Sequence, residues 1–190
     1  LLNAVAKTGY YGLMARSLGP QIRGGEAAAL LRFSSEQVEN QGNFFKILMA
    51  VDWDNINRFQ GELPLTSESV IIYDPQNGEI PEFIQKNKPK LIPINLSETA
   101  KTRERGRSNM VGLGFLAETI GLDKSVVTKV LQKNLKKKGE KIFESAVFCV
   151  EKGVELAKKN KINLDFQINP KKNTNRWSIT GNEAAGLGAI

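Results

Sequence analysis

The sequence predicts an α/β fold built on an open, mostly parallel sheet with helices on both faces. Two observations carry that expectation. Three short apolar runs, 45–51 with its single Lys46, 70–73, and 91–94 interrupted by Pro93, do not alternate, and each closes on a polar residue: Asp52, Asp74 or Asn95. A strand covered on both faces needs such runs of Ile, Val, Leu and Met, whereas a half-exposed antiparallel strand alternates. Between and after these runs lie stretches whose apolar residues recur at helical spacing. Length and composition agree. A chain of 190 residues, 41% hydrophobic and 25% charged, supports one domain with a real core and is too apolar for wholesale disorder.

Taken in order, the elements read as follows. Leu1, Leu2, Val5 and Ala6 form an apolar helical stripe that Gly9 stops. The chain enters this helix partway through, and the expectation is that a strand and turn precede Leu1 in the intact protein. A strand at 27–33 follows the Gly24-Gly25 pair. After the first parallel strand a short helix spans 53–60, with Asp52 or Asp54 available as its cap. The Pro81 region reads as loop. A helix at 97–105 starts at an N-cap Ser97, and another at 109–120 carries Met110, Leu113, Leu116, Ala117 and Ile120 before Gly121.

From Asp123 the pattern changes to paired helices. Val126, Val127, Val130, Leu131 and Leu135 share one face with lysines opposite, and Gly139 ends that helix. The next, 141–159, buries Phe143, Ala146, Val147, Val150 and Val154, and Cys149 beside this stripe reads as a small core residue. Residues 160–176, rich in Asn and Lys, read as a linker with one extended piece at 164–168. A strand-like entry at Trp177, a turn at Gly181 and a small-residue helix start close the sequence. Strands alternating with helices in this way give a Rossmann-like arrangement.

Composition removes several chemistries. There is no histidine, so His-based triads and the commonest metal ligand are excluded. A single cysteine cannot close an internal disulfide or hold a Cys-ligated zinc or iron–sulfur centre. The apolar runs are too short to cross a bilayer. The net charge of +7 is unevenly spread: residues 1–122 hold 13 basic and 13 acidic side chains, and 123–190 hold 14 and 7. No aromatic residue interleaves Lys124, Lys129, Lys133, Lys136, Lys137 and Lys138, so a solvated helix face is a better reading than a nucleic-acid surface.

Three groups of residues can carry function. In the 17–26 segment, Gly19, Pro20, Gly24 and Gly25 surround Arg23. Paired glycines let successive amides form an anion-binding nest, to which Arg23 adds a bidentate contact. The alternative is a tight loop into the following strand, with Arg23 bonded to its own protein. Arg103, Arg105 and Arg107 surround Gly106 just before the helix at Asn109, a setting for a phosphate or another anion, or a solvated loop of alternating charge. Asp52, Asp74 and Asn95 fall at the carboxyl ends of parallel strands, where open α/β sheets bind ligands, although capping suits Asp52 and Asp54 better. There is no Walker A pattern and no complete G-x-G-x-x-G after a strand.

Residues 18–27, Leu-Gly-Pro-Gln-Ile-Arg-Gly-Gly-Glu-Ala, resemble the Y-G-P-E-I-R-G-G-x-A signature of the gamma domain of 2-oxoacid:ferredoxin oxidoreductases, departing at Leu18 and Gln21. Asp52 followed by Phe59 is similar to that family's strand-end aspartate with a short helix behind it. Residues 109–114, Asn-Met-Val-Gly-Leu-Gly, resemble its N-M-V-A-L-G helix start. Residues 179–189 resemble the I-x-G-N-E-A-x-A-L-G-A opening of the alpha domain. Gamma then alpha on one chain is the order of the fused alpha subunit of the 2-oxoglutarate or general 2-oxoacid type.

The resemblance implies a cytoplasmic enzyme that decarboxylates a 2-oxoacid on thiamine diphosphate. Electrons pass through an iron–sulfur cluster to ferredoxin, and the acyl group is released to coenzyme A. It implies a gamma domain over 1–159, a linker over 160–176, and the start of an alpha domain over 177–190. Thiamine and cluster sites would lie in the remainder of the alpha domain and in a partner beta subunit, within a homo- or hetero-oligomer, so this segment alone would be inert. Arg23, Gly24, Gly25 and Gly19 are the expected contacts to coenzyme A or to a neighbouring subunit, with Arg103, Arg105, Arg107 and Asn109 behind them. The rival reading is a stand-alone anion- or nucleotide-binding module.

Overall fold

The computed structural model describes residues 1–19, 27–171 and 177–190. Strands β3 (Ile47–Ala50), β4 (Val70–Tyr73) and β5 (Lys90–Pro93) form a parallel sheet in that order, in the register Ile47–Val70–Lys90. The three apolar runs are therefore the sheet, as their lack of alternation predicts. Both faces are covered. Val70, Ile72 and Ile92 face a large core shared with helices α1 (Leu2–Lys7), α4 (Ser108–Thr119), α5 (Lys124–Leu135) and α6 (Glu140–Asn160). Ile71 faces a smaller cluster with Trp53, Leu65 and Ile84, built from the two crossover connections.

The sequence reading misses one strand. Residues 11–18, β1 (Tyr11–Leu18), pair antiparallel with β2 (Ala27–Ser34) in a two-stranded ribbon that is not hydrogen-bonded to the parallel sheet. Its pattern of Tyr, Gly, Leu, Met, Ala and Arg has no clean alternation, because much of the ribbon stands clear of the core. The Pro81 region contains one helical turn, α2 (Glu82–Gln85). The segment after Asp52 forms a 3-10 turn, Ile56–Glu62, whose N-cap is Asn55 at φ 56°; neither Asp52 nor Asp54 caps it. Helix α3 (Leu96–Lys101) likewise begins one residue before Ser97, with Asn95 at the cap position. Trp177 to Thr180 form no strand, but α7 (Gly181–Gly188) follows, closed by a capping box between Thr180 and Glu183.

Helices α4 and α6 cross with unusual intimacy. A Cβ at Gly114 would fall on the Val150 carbonyl, and one at Gly153 would fall on the Val111 carbonyl and the Phe115 amide. Two glycines, one from each helix, thus let the backbones touch. The described part of the 160–176 segment is packed rather than free. Leu164 and Ile168 are buried, the Ile168 amide donates to the Ile120 carbonyl at 2.8 Å, and the Lys171 amide donates to the Thr8 carbonyl at 2.9 Å. Cys149 is fully buried in the same core.

Asp123 caps α5: its Oδ1 accepts the Ser125 amide at 2.6 Å. That hydrogen bond, with Lys129 and Lys124 nearby, holds its carboxyl below the ordinary aspartate range. A depressed carboxyl stabilises the fold above its unfolded value, and this contribution disappears as pH falls through the lower folded value. Asp123→Ala is expected to cost about 1 kcal/mol at neutral pH and nothing in strong acid. Urea unfolding of the two chains at both pH values checks this, and a pH-independent difference would rule out the cap as its source.

Candidate functional site

The carboxyl end of β3, the N-terminus of α4 and the ribbon enclose a cleft of about 920 Å³. Each wall has a sequence reason. Met49, Ala50 and Val51 carry β3 to its edge, where Asp52 and Asp54 follow, the Asp54 amide donating to Asp52 Oδ1 at 3.2 Å. Met14 and Ala28 to Leu31 present the apolar side of the ribbon. Phe59 and Leu63, at the 3-10 turn, close one flank. The cleft is largely apolar, with Asp52, Asp54 and the Arg107-Ser108-Asn109 start of α4 among its polar groups and Lys46 apart from them. Apolar walls with a few converging polar groups describe an ordinary small-molecule site.

The structure separates the three arginines. Arg107 and Asn109 line the cleft. Arg103 points to α6 instead, with Nη2 3.7 Å from Glu144 and its guanidinium 5.7 Å from the centre of the Phe148 ring. Arg105 adopts φ 60° and lies 3.7 Å from Glu104. A Cβ at Gly106 would strike the Ala100 carbonyl, so this tight turn is what aims the start of α4 at the cleft. Arg23, Gly24 and Gly25 lie outside the described residues. The residues that flank them do not: Leu18 pairs with Ala27 at the ribbon end, Ala27 lines the cleft, and Ser17 Oγ donates to Glu62 at 3.0 Å. Gly19 follows directly on β1.

Asp74 lies at a strand end but faces inward. It is buried, and its two oxygens accept the Ser97 amide at 2.6 Å and the Gln76 amide at 3.1 Å. Asn77 Nδ2 donates to the Val51 carbonyl at 2.7 Å and to Ser97 Oγ at 3.0 Å, and the Ser97 and Ser108 hydroxyls are 3.3 Å apart. This network ties the ends of β3 and β4 to the starts of α3 and α4. Asn95 Nδ2 donates to Glu98 Oε2 at 3.1 Å. Of the strand-end residues, Asp52 alone lines the cleft. At the opposite end of the cleft Lys46 donates to Asp165 at 2.8 Å, which raises its pKa and lowers that of Asp165.

The family profile described as pyruvate ferredoxin/flavodoxin oxidoreductase matches residues 1–156. The chain belongs to this family. No curated protein matches it closely enough to count. Among solved structures, the 2-oxoglutarate:ferredoxin oxidoreductase of Magnetococcus marinus, with 2-oxoglutarate, coenzyme A and succinyl-CoA bound, is similar at 27% identity and a TM-score of 0.83. The match covers 98% of this chain and 33% of that one, so the chain spans about a third of that relative's length. A pyruvate oxidoreductase subunit of Thermotoga maritima shares the fold at 14% identity and a TM-score of 0.59, over 82% of this chain and 84% of that one. The gamma-type resemblance in the sequence and the α/β fold thus agree with the family. Among the described residues no helix is long and apolar enough to cross a membrane.

Proposed function

We propose that the chain is the gamma-domain portion, over 1–159, of a cytoplasmic 2-oxoacid:ferredoxin oxidoreductase of the 2-oxoglutarate type. The 160–176 segment leads into the start of its alpha domain at 177–190. The observation that carries this reading is the extent of the match to the 2-oxoglutarate enzyme. At 98% of this chain it must run well past residue 156, where the family profile ends, and include most of the closing segment. The complete enzyme converts a 2-oxoacid to its acyl-CoA, passing electrons to ferredoxin together with a beta subunit.

The residues present do not fit one of the groups that this chemistry requires. An iron–sulfur cluster needs several thiolates, and the one cysteine is buried in the core. We place the cluster in the rest of the enzyme, and thiamine diphosphate with it, as the resemblance in the sequence implies. What this chain can offer is binding: the cleft suits an apolar chain against the ribbon with an anionic end at Arg107 and Asn109, and Arg23, Gly24 and Gly25 are the further contacts that the sequence suggests. Coenzyme A has both parts, and a neighbouring subunit is the other occupant of that edge.

Arg23→Ala and Arg107→Ala, each made in the complete enzyme, are expected to raise the KM for coenzyme A and leave kcat for 2-oxoglutarate largely unchanged. Loss of one charge-assisted contact corresponds to roughly 10-fold or more. Steady-state kinetics with coenzyme A varied, 2-oxoglutarate or pyruvate as substrate, and sedimentation to follow assembly decide it. Unchanged kinetics and unchanged assembly for both variants would remove the cleft from the binding role, and a preference for pyruvate would overturn the substrate assignment.

A further inference from the structure

A second pocket, of about 380 Å³, lies away from the strand ends, between α1, the start of β1, α5 and the Trp177-Ser178 segment. Lys7 and Lys133 line it, and no aspartate or glutamate does. Elsewhere in the helical half some lysines are paired and others are not. Lys124 pairs with Glu151, Lys136 with Glu140 and Lys152 with Glu155, as lysines on a solvated face do. Lys7 and Lys133 likewise have no acidic partner among the described residues, and what sets them apart is that both line this one pocket.

The pocket also supplies what the lysine run lacks in sequence. Tyr11 and Trp177 line it, the latter 76% exposed and without a ring or cation contact to another described residue. Tyr10 fixes the wall between them, accepting the Asn169 amide at 3.2 Å and meeting Phe33 edge-on. Asn3 and Ser178, 3.4 Å apart, add polar groups beside the indole. Two compact ammonium charges suit a phosphate, and an open indole face suits a planar heteroaromatic ring. The volume is at the low end for ligand sites, enough for one nucleotide unit.

We infer that this pocket binds a nucleoside phosphate, its phosphate between Lys7 and Lys133 and its base against Trp177. The ligand is either a free nucleotide or the nucleotide end of a larger molecule such as coenzyme A. The site does not depend on the role given to the cleft.

The test is photolabelling of the complete protein, without turnover, by an azido-adenosine monophosphate, with mapping of the labelled peptides. Label is expected on peptides that contain Tyr11 or Trp177, with protection by adenosine monophosphate and little by adenosine. The paired change Lys7→Gln and Lys133→Gln should reduce labelling by roughly 10-fold, since two phosphate contacts are lost. Lys137→Gln, outside the pocket, should leave it unchanged, and Trp177→Phe should keep more labelling than Trp177→Ala. Protection by coenzyme A assigns the site to its nucleotide end; protection by adenosine monophosphate alone assigns it to a free nucleotide. Label spread over other peptides, an equal loss in Lys137→Gln, or stronger competition by a single-stranded oligonucleotide than by the mononucleotide would overturn the proposal. A failure here together with a raised KM for coenzyme A in Arg107→Ala leaves the cleft reading intact, and the reverse result leaves this one.

Discussion

Gly153→Ala is expected to destabilise the protein by about 3 kcal/mol, and Gly153→Val by more. Overpacking in a well-packed core costs about 1–3 kcal/mol and exceeds that when the new group meets backbone rather than a flexible side-chain end. Here the obstructing atoms are the Val111 carbonyl and the Phe115 amide of α4, neither of which can swing aside. Gly114 makes the reciprocal demand against the Val150 carbonyl of α6, so Gly114→Ala should behave alike. Relief requires the helices to part, opening space around Val111, Phe115 and Val150, each fully buried. In a chain of this size the loss lowers Tm by roughly 6–12 °C. Gly186→Ala on α7 is the control: a Cβ there meets nothing, and alanine is the better helix former. Equal melting temperatures for Gly153→Ala and Gly186→Ala would show that the crossing is not as close as described.

The second large effect concerns Asp74. Asp74→Ala leaves the Ser97 and Gln76 amides without their carboxylate and opens a cavity under the sheet edge. Hydrogen bonds to a charged group contribute about 1.5–3 kcal/mol, so a loss of about 3 kcal/mol is expected for the pair. Asp74→Asn keeps one acceptor oxygen and should recover part of it. The same network reaches Ser108 through Ser97, at the helix start that carries Arg107 and Asn109. In the complete enzyme Asp74→Asn should therefore raise the KM for coenzyme A more than it lowers kcat. Urea unfolding together with steady-state kinetics measures both. A variant as stable as the parent chain would mean that water replaces the carboxylate without cost.

How much of this was legible in advance follows from burial. The parallel strands, α4, α5 and α6 are covered by core, and burial imposes the runs and periods that reveal them. The ribbon is less covered, so Tyr11 to Leu18 carry no alternation that would reveal a strand. Its partner β2 was visible through the apolar run after Gly24-Gly25, and a turn between two extended segments is the signal that could have recovered β1. Arg103, Arg105 and Arg107 looked equivalent because spacing in a loop says nothing of direction; the φ of Arg105 and the close approach of Gly106 to Ala100 decide which one turns inward. Asp74 looked like a ligand group because a strand end is where one expects them. Only its burial shows that it serves the backbone. The second pocket joins residues from both ends of the sequence, and no local pattern can announce that.

The hydrogen bond from Lys171 to Thr8 has a topological meaning. It returns the chain, after the whole fold has been made, to within a residue or two of the end of its first helix. Segments more than 160 residues apart in sequence are thus neighbours in space, so one closing contact holds both ends of the described fold together. The two solved relatives carry the fold in two ways, one as a chain scarcely longer than the match and one within a chain three times its length. The same fold thus occurs both as most of a chain of similar length and as a third of a much longer one.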